Sequence, residues 1–497
     1  MKSFQESPPL YKALGAIGLL ALVGFTVAFM NIPWDWSMFM DDTAYNSWMP
    51  NVTNMPRAIH DEIFHYLAMG RFYPVKYIAN LLKWRYLPND PYIFRYFNYG
   101  VFLLATSIGS LTALQVNRKR LAVSGAFAAG GLFFFLLGSS LLHKPILEII
   151  SLNPLGETWV CLFLAMGAFC LVREQWSVKF VLARFFFLVV ALSKEPAALV
   201  FFASSLHYAY RAWLEPHSRK KWALHAAFDF LLFGLFLAMS LNLLAHSSWE
   251  KAAYFGSTPW LTYAHDFFYK LARYALWTSP FVAGFIYCRR EIVSFFRDPA
   301  LGGAIIFFAT FAMSYEVFMS SQGIVAYQEV PAAMGFFCLF ALLTAALAAS
   351  GALERAVYRS GLVLLLLFCL SYYVSLSRWQ RFVRGIVEPR RAVTNLIQTG
   401  YTFTIFVPFG EIYGHLELLL KQYNPSSQVF EIDKNVASLE PRLRGKIFVF
   451  EFPTYMGDLP KERLSELERM AGGWESVTDA HTYRIYVGKK TFGERPL

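Results

Sequence analysis

Hydrophobic runs of near bilayer length recur along most of this chain, and short polar connections separate them. A helix that crosses a membrane needs about 20 predominantly apolar residues. Windows of this kind are centred near residues 20, 106, 132, 164, 187, 204, 235, 280, 309, 339 and 369. The pattern therefore predicts a transmembrane module over residues 1–378 with about eleven membrane-spanning helices.

The pattern changes in the tail, where short alternating runs replace the long apolar ones. Strands are predicted where β-branched and aromatic residues alternate with polar ones, and helices where apolar residues recur every three to four positions. The predicted strands are Thr402–Val407, Gln428–Ile432, Lys446–Phe452 and Thr482–Val487, and the predicted helices are Glu411–Tyr423 and Lys461–Met470. The predicted fold is thus an all-α polytopic membrane protein with a small C-terminal α/β domain, residues 379–497.

Composition agrees with this class, since 56% of the residues are hydrophobic and only 16% are charged. Lys and Arg favour one set of short connections over the other by about sixteen to four, which predicts a cytoplasmic N-terminus and a periplasmic C-terminal domain in the inner membrane. This bias accounts for most of the net charge of +11 and does not indicate a nucleic-acid partner. The predicted outer connections hold Lys144, Lys194, Lys251 and Lys270.

A long loop, residues 31–97, follows the first apolar run on the predicted outer side. We expect that first run to be a retained anchor, because no small-residue cleavage site follows it. Within the loop, Met55–Gly70 has apolar residues at helical spacing with charges between them, and Val75–Tyr86 forms a second such segment. Both are predicted to be interfacial helices that lie on the membrane surface.

Asp41 and Asp42 stand about ten residues beyond the first predicted span. Charged groups close to hydrocarbon are costly, and those that persist there often have a function. Two other interpretations stay open: the pair begins a solvated loop, or Asp42 caps a short helix over Thr43–Trp48.

The whole arrangement resembles the GT-C superfamily of membrane glycosyltransferases. The resemblance covers the order of a cytoplasmic N-terminus, one span, Asp-Asp in a long outer loop, many further spans and an outer soluble tail. Its sharpest sequence marks are Phe39–Asp42 (FMDD) and Gly70–Pro74 (GRFYP), which are similar to bacterial glucosyltransferase-type members. Ser193–Pro196 (SKEP), at the predicted outer end of the fifth span, resembles a Lys-Glu turn found in several of these families.

The resemblance implies an inverting transferase that moves a sugar from a polyprenyl-phosphate carrier to a glycan, lipid or protein acceptor. Asp41 takes the role of general base, because an attacking hydroxyl needs a carboxylate within hydrogen-bond reach to accept its proton. Asp42 orients Asp41, binds the sugar or, with Asp41, ligates a divalent cation such as Mg²⁺ or Mn²⁺. No other cofactor is implied.

The remaining site candidates are charged or aromatic residues on the predicted outer side. Cations there would stabilise the leaving phosphate, and carboxylates would bind sugar hydroxyls. Lys194 is equally well explained as an interfacial anchor paired with Glu195, and single glutamates are better explained by contact with water. The phosphate candidates are Lys194, Lys144 and Arg71, and the sugar candidates are Glu195, Glu157, Tyr327 and Glu329.

Two other functions remain open at this stage. A flippase or transporter of lipid-linked sugars would also have many spans, but it would place charges deep within them. The predicted span centres are nearly free of charge, which favours catalysis at the outer ends of the fourth to sixth and ninth to tenth spans. A glycan polymerase or ligase uses the same lipid class, and the Asp-Asp position favours single-sugar transfer over it.

Overall fold

The structure is a computed structural model, and it forms two compact units, one helical and one that contains residues 376–497. The residues that it describes are 9–31, 52–68, 71–88, 90–117, 156–172, 178–246, 260–277, 285–320, 329–352, 377, 388, 392, 395–397, 399–407, 416–417, 420–421, 423–432, 439, 441–451, 459–480 and 483–493.

The described part of the first unit is helical. Its helices α1 to α12 are Pro9–Met30, Met55–Ala68, Pro74–Tyr86, Pro91–Val116, Glu157–Val172, Lys179–Ala191, Leu199–Leu214, Arg219–His246, Trp260–Trp277, Arg289–Phe295, Pro299–Ser320 and Val330–Ala349.

Four stretches of the described chain are helical, long and apolar enough to cross a membrane: Tyr92–Val116, Pro216–Leu243, Pro299–Met319 and Val330–Ala349. This agrees with the predicted membrane protein. The count of eleven spans stays a prediction, since the windows centred near residues 132, 280 and 369 fall outside the described residues.

The two helices predicted within the first loop are confirmed as α2 and α3. Asn54 begins α2, because its Oδ1 accepts a hydrogen bond of 3.1 Å from the backbone N–H of Arg57. Pro74 begins α3, where its fixed φ angle suits the first helical turn. The rings of Tyr66 and Tyr77 stack with centroids 4.3 Å apart and hold the two helices together. Their position on the membrane surface stays a prediction.

Charged residues lie inside the helical unit, so the expectation of nearly charge-free span centres is wrong. Arg184 of α6 donates a 2.6 Å hydrogen bond to Asp229 of α8, whose carboxylate is fully buried. Ser204 of α7 donates to the other oxygen of the same carboxylate, also at 2.6 Å. A buried carboxylate is stable only with such partners, and this one joins three helices.

The segment that holds Lys270, predicted to be an outer connection, is helical from Trp260 onward, where α9 begins. Lys270 lies in this helix and its side chain is fully buried. Apolar and polar residues alternate with a helical period in this segment. The high aromatic content of the segment obscured this period in the sequence.

The second unit contains a five-stranded sheet with the order β2-β1-β3-β5-β4. Strand β1 runs parallel to β2 and β3, whereas β5 is antiparallel to β3 and β4. The strands β1 to β5 are Phe403–Val407, Gln428–Glu431, Gly445–Glu451, Trp474–Asp479 and Arg484–Phe492, and helix α13 is Lys461–Met470.

Most of the predicted elements of this unit are confirmed. Strands β1, β2, β3 and β5 and helix α13 match their predicted positions, and every described residue of Glu411–Tyr423 is helical. Strand β4 was not predicted, because five of its six residues are exposed and leave no apolar alternation. All five residues of β1 are buried, as expected for a parallel strand covered on both faces.

Two details fix the sheet. Gly445 has φ of +62°, and a Cβ there would lie 1.8 Å from the carbonyl oxygen of Thr402, so only glycine fits. Glu451 is buried at the end of β3 and accepts a 2.9 Å hydrogen bond from the hydroxyl of Tyr486. Burial, followed by this bond, raises the pKa of Tyr486 to about 12.

Candidate functional site

Several predicted site residues lie outside the described residues: Asp41, Asp42, Lys144 and Tyr327. Their roles as base, cation ligand, phosphate ligand and sugar ligand stay predictions. The described candidates are Arg71, Glu157, Lys194 and Glu329, together with the backbone of Glu195, which begins the 3-10 helix Glu195–Ala198.

Glu157 and Lys194 form an ion pair between two helix ends. Glu157 is the first residue of α5, and Lys194 follows α6 and precedes the 3-10 helix. The ammonium group of Lys194 donates a hydrogen bond to Oε1 of Glu157. The side chain of Glu157 is 1% exposed and that of Lys194 is 12% exposed. The pair is therefore almost dry but still opens toward solvent at the lysine.

Gly156 allows these two helix ends to approach closely. A Cβ at this position would lie 2.9 Å from the backbone oxygen of Ser193 and 3.2 Å from Cδ of Lys76. The first distance is too short for any side chain unless the backbone moves. Glycine thus brings Ser193, and Lys194 after it, against the start of α5, with the stem of Lys76 over the same point.

Helix α3 is fixed to the same place by its first turn. The backbone N–H of Val75 donates a 3.2 Å hydrogen bond to the carbonyl oxygen of Leu192, just before Lys194. The ammonium group of Lys76 lies 5.0 Å from the ring centre of Tyr73, and the hydroxyl of Tyr73 accepts a 2.8 Å hydrogen bond from Arg71. We call Arg71, Tyr73, Lys76, Glu157 and Lys194 the Glu157 cluster.

The Glu157 cluster carries three cations and one carboxylate. Lys194 is bonded to that carboxylate, and Lys76 is close enough to interact with it electrostatically. Cations in a mostly desolvated site favour an anionic ligand, and phosphate groups accept several charge-assisted hydrogen bonds at once. Chemically, the cluster suits a phosphate ester.

The cluster corrects one expectation and sharpens another. The expectation that Glu157 lies in water is wrong, because its carboxylate is buried against Lys194. Lys194 donates a hydrogen bond to Glu157, which lies in another helix. The position of Lys194 next to Glu195 in the sequence did not indicate this contact. Phosphate binding by Lys194 and Arg71 stays a prediction.

Lys76 is the residue that sequence reasoning missed. It lies in the first turn of α3, directly after the Gly70–Pro74 motif, so its position beside that motif was the available signal. A helical period shows which residues share a face but does not show what that face contacts. The neighbourhood of Gly156 appears only in three dimensions.

Glu329 belongs to a second ionic group, which we call the Lys270 cluster. The ammonium group of Lys270 lies 3.4 Å from a carboxylate oxygen of Glu316 in α11 and 3.4 Å from one of Glu329, just before α12. All three side chains are fully buried. The expectation that Glu329 sits in water is therefore wrong, and its predicted contact with sugar stays untested.

Within the described ranges, no group of three His, Cys, Asp or Glu side chains is arranged to hold a metal ion. The predicted divalent cation concerns Asp41 and Asp42, which those ranges do not include. Cys161, Cys170, Cys288 and Cys338 are buried.

Neither a protein-family model nor a curated protein sequence matches this chain. The chain is similar to the crystal structure of ArnT from Cupriavidus metallidurans in the apo state, with a TM-score of 0.48 and 13% identity over 96% of this chain and 98% of that chain. It is also similar to the crystal structure of the same protein bound to undecaprenyl phosphate, with a TM-score of 0.46 and 13% identity over 96% and 97% of the two chains.

Proposed function

We propose that this protein is a GT-C type glycosyltransferase that moves a sugar from a polyprenyl-phosphate carrier to a glycan, lipid or protein acceptor at the outer face of the membrane. The observation that carries the proposal is the Glu157 cluster. Three cations of the described chain belong to it, and two of them, Arg71 and Lys76, follow the Asp-Asp pair within the same predicted loop.

The place of the cluster at helix ends supports a lipid donor. Glu157 begins an apolar helix and Lys194 follows one, which supports a position for both near the ends of membrane-spanning helices. A phosphate on a polyprenyl chain occupies this level, because its lipid lies in the hydrocarbon and its charge requires the interface. A soluble sugar nucleotide would not need a cationic site at this level.

The proposed step forms one bond and breaks one. The acceptor oxygen attacks the anomeric carbon from the face opposite the phosphate, and its proton passes to Asp41. The bond from the anomeric carbon to the phosphate oxygen breaks, and the polyprenyl phosphate leaves with the electron pair. Lys194 and Lys76 stabilise the charge that develops on that phosphate, Arg71 helps to bind the donor phosphate, and Glu157 holds Lys194 in position.

The test is release of radiolabelled sugar from polyprenyl-phosphate sugars by the purified protein. We expect wild type to consume one donor, and Asp41→Asn to lose the activity while its thermal unfolding is unchanged. Asp42→Asn and a parallel assay with a chelator separate a metal role from an orienting role.

A matched control uses Asp90→Asn, since Asp90 also precedes a helix and accepts a hydrogen bond of 2.7 Å from the backbone N–H of Tyr92. Full activity of a folded Asp41→Asn variant, or an Asp41 that labelling reagents reach only from the cytoplasm, would refute the proposal.

A flippase for lipid-linked sugars is the second candidate. The observation in its favour is the charge buried between helices at Arg184 and Asp229, since transporters place ionisable groups at such depths. Ser204 and Arg184 both bond that carboxylate, which also suits a purely structural role. Transfer of lipid-linked sugar across liposomes without consumption of donor would support this candidate instead.

A further inference from the structure

The α/β unit contains a cavity of about 900 Å³ at the edge of the sheet where β2 and β3 begin and β5 ends. In this unit the parallel strands β1, β2 and β3 all begin at the same edge. None of the residues assigned above is among the described residues that line the cavity. Its volume is in the range of sites for small organic ligands.

The wall of the cavity is cationic. Lys421, Arg442 and Arg444 line it, and among the described lining residues the acidic one is Glu417. Glu417 is paired with Lys421 at 3.0 Å, one helical turn away. The two arginines are exposed and precede β3, so a ligand that enters the cavity can contact their positive charge. Arginine is the side chain best suited to bidentate contacts with phosphate and carboxylate groups.

The lining of the cavity also includes apolar side chains and a buried polar atom. Phe430 and Phe492 lie in its wall and are partly buried, and aromatic faces pack against the C–H surfaces of sugars. Gln428 opens β2, and its side-chain oxygen is buried and accepts no hydrogen bond from any described residue. A buried carbonyl without a donor is costly, and a turn of the Gln428 side chain toward the cavity would let a ligand hydroxyl supply the missing donor.

We propose that this cavity binds an anionic saccharide, one that carries a phosphate or carboxylate group. The arginines contact the anion, Gln428 accepts from a hydroxyl, and the phenylalanines contact the ring. Under the proposed function this saccharide is the acceptor, and that assignment rests on the proposed function. The binding itself does not, since the cavity needs neither donor nor Asp41.

The experiment measures equilibrium binding to the full-length protein in detergent by calorimetry. The probes are a disaccharide with one phosphate monoester, the same disaccharide without phosphate, and inorganic phosphate alone. We expect the phosphorylated disaccharide to bind most tightly, because only it engages both the arginines and the rest of the wall. Inorganic phosphate that binds as tightly as this probe would overturn the saccharide assignment.

The decisive variant is Arg442→Gln with Arg444→Gln. We expect it to weaken the phosphorylated probe by about 10- to 100-fold, as expected for loss of charge-assisted hydrogen bonds. The matched control is Lys461→Gln with Arg469→Gln, which removes two exposed charges from α13 outside the cavity. Equal weakening in both variants would show a general charge effect and overturn the proposal.

Gln428→Leu tests the hydroxyl contact. We expect this near-isosteric change to weaken both disaccharides several-fold and to leave inorganic phosphate unchanged. Asp41→Asn should bind every probe as wild type does. In the wild-type protein, binding of the probes with no donor consumption would support the cavity and refute the transferase, whereas donor consumption without binding would do the reverse.

Discussion

The Glu157 and Lys270 clusters differ in their balance of cations and carboxylates. The Glu157 cluster has three cations and one carboxylate, and Lys194 is 12% exposed. The Lys270 cluster has one cation and two carboxylates, and all three side chains are 0% exposed. The first can receive an anion from solvent or lipid, whereas the second is closed and would repel one.

This difference separates a site from a structural contact. A buried ion pair is stable only when its Coulomb attraction and hydrogen bonds offset the loss of hydration. In the Lys270 cluster, that balance joins α9, α11 and the start of α12. In the Glu157 cluster, Lys194 is partly open to solvent, so we expect its loss to affect activity more than stability.

The largest effect is expected for Lys270→Met. Removing the ammonium group leaves two buried carboxylates close together, and breaking such a buried group costs about 3–5 kcal/mol of stability. Thermal unfolding in detergent measures the loss, and the triple variant Lys270→Met, Glu316→Gln and Glu329→Gln should recover most of it. A Lys270→Met protein with wild-type stability but no turnover would contradict the structural assignment.

The next effect is expected for Lys194→Met, which removes a cation from the proposed phosphate site. Loss of one group that stabilises transition-state charge lowers the rate by about 10² to 10³, or about 2.7–4 kcal/mol. Donor consumption measures this, and Lys220→Met, at an exposed lysine of α8, is the control. Adding Glu157→Gln should restore stability without restoring turnover. If turnover returned as well, Lys194 would only be a partner for Glu157.

A smaller effect is expected for Gly156→Ala. The new Cβ would meet the backbone oxygen of Ser193 at 2.9 Å, and relief of such overlap costs about 1–3 kcal/mol. We expect lower stability and lower turnover together, because the shift moves Lys194.

Gly234→Ala is the matched control for this change. Gly234 lies within α8 with nothing within 4 Å of its Cβ position, so alanine should stabilise that helix by up to about 1 kcal/mol. Equal behaviour of the two alanine variants in thermal unfolding would contradict the close approach at Gly156.

The smallest effect is expected for Arg71→Gln. Arg71 is a partly buried side chain that bonds Tyr73 at 2.8 Å, and a single hydrogen bond to a neutral group contributes about 1 kcal/mol. We expect a several-fold rise in KM for the donor with little change in kcat. Tyr73→Phe removes the same bond and keeps the charge of Arg71. A similar rise in KM in both variants would therefore show that the position of Arg71, and not its charge, causes the effect.

The sequence predicted local elements better than long-range contacts. Helices α2 and α3 and most strands of the sheet follow from periodicity, which is local information. Strand β4 was missed because its exposed residues leave no such pattern. The pairing of Lys270 with Glu316 and Glu329 was missed because it depends on helix packing, which joins residues far apart in the chain.

The candidate site divides in the same way. Lys194, Arg71 and Glu157 were selected by charge and by the side of the membrane predicted for them. Lys76 was not, because its role depends on α3 lying against Gly156. That contact is possible because Gly156 has no Cβ. Gly156 belongs to no recognised motif, so a single sequence does not show the contact.

The hydrogen bond from Val75 to Leu192 has a consequence for motion. Val75 is in the first turn of α3, where an N–H group lacks a partner within its own helix. If α3 moved away from α6, that hydrogen bond would be replaced by one to water, at a net cost of about 0.5–1.5 kcal/mol. The bond therefore favours motion of α3 together with the end of α6 when an acceptor is admitted.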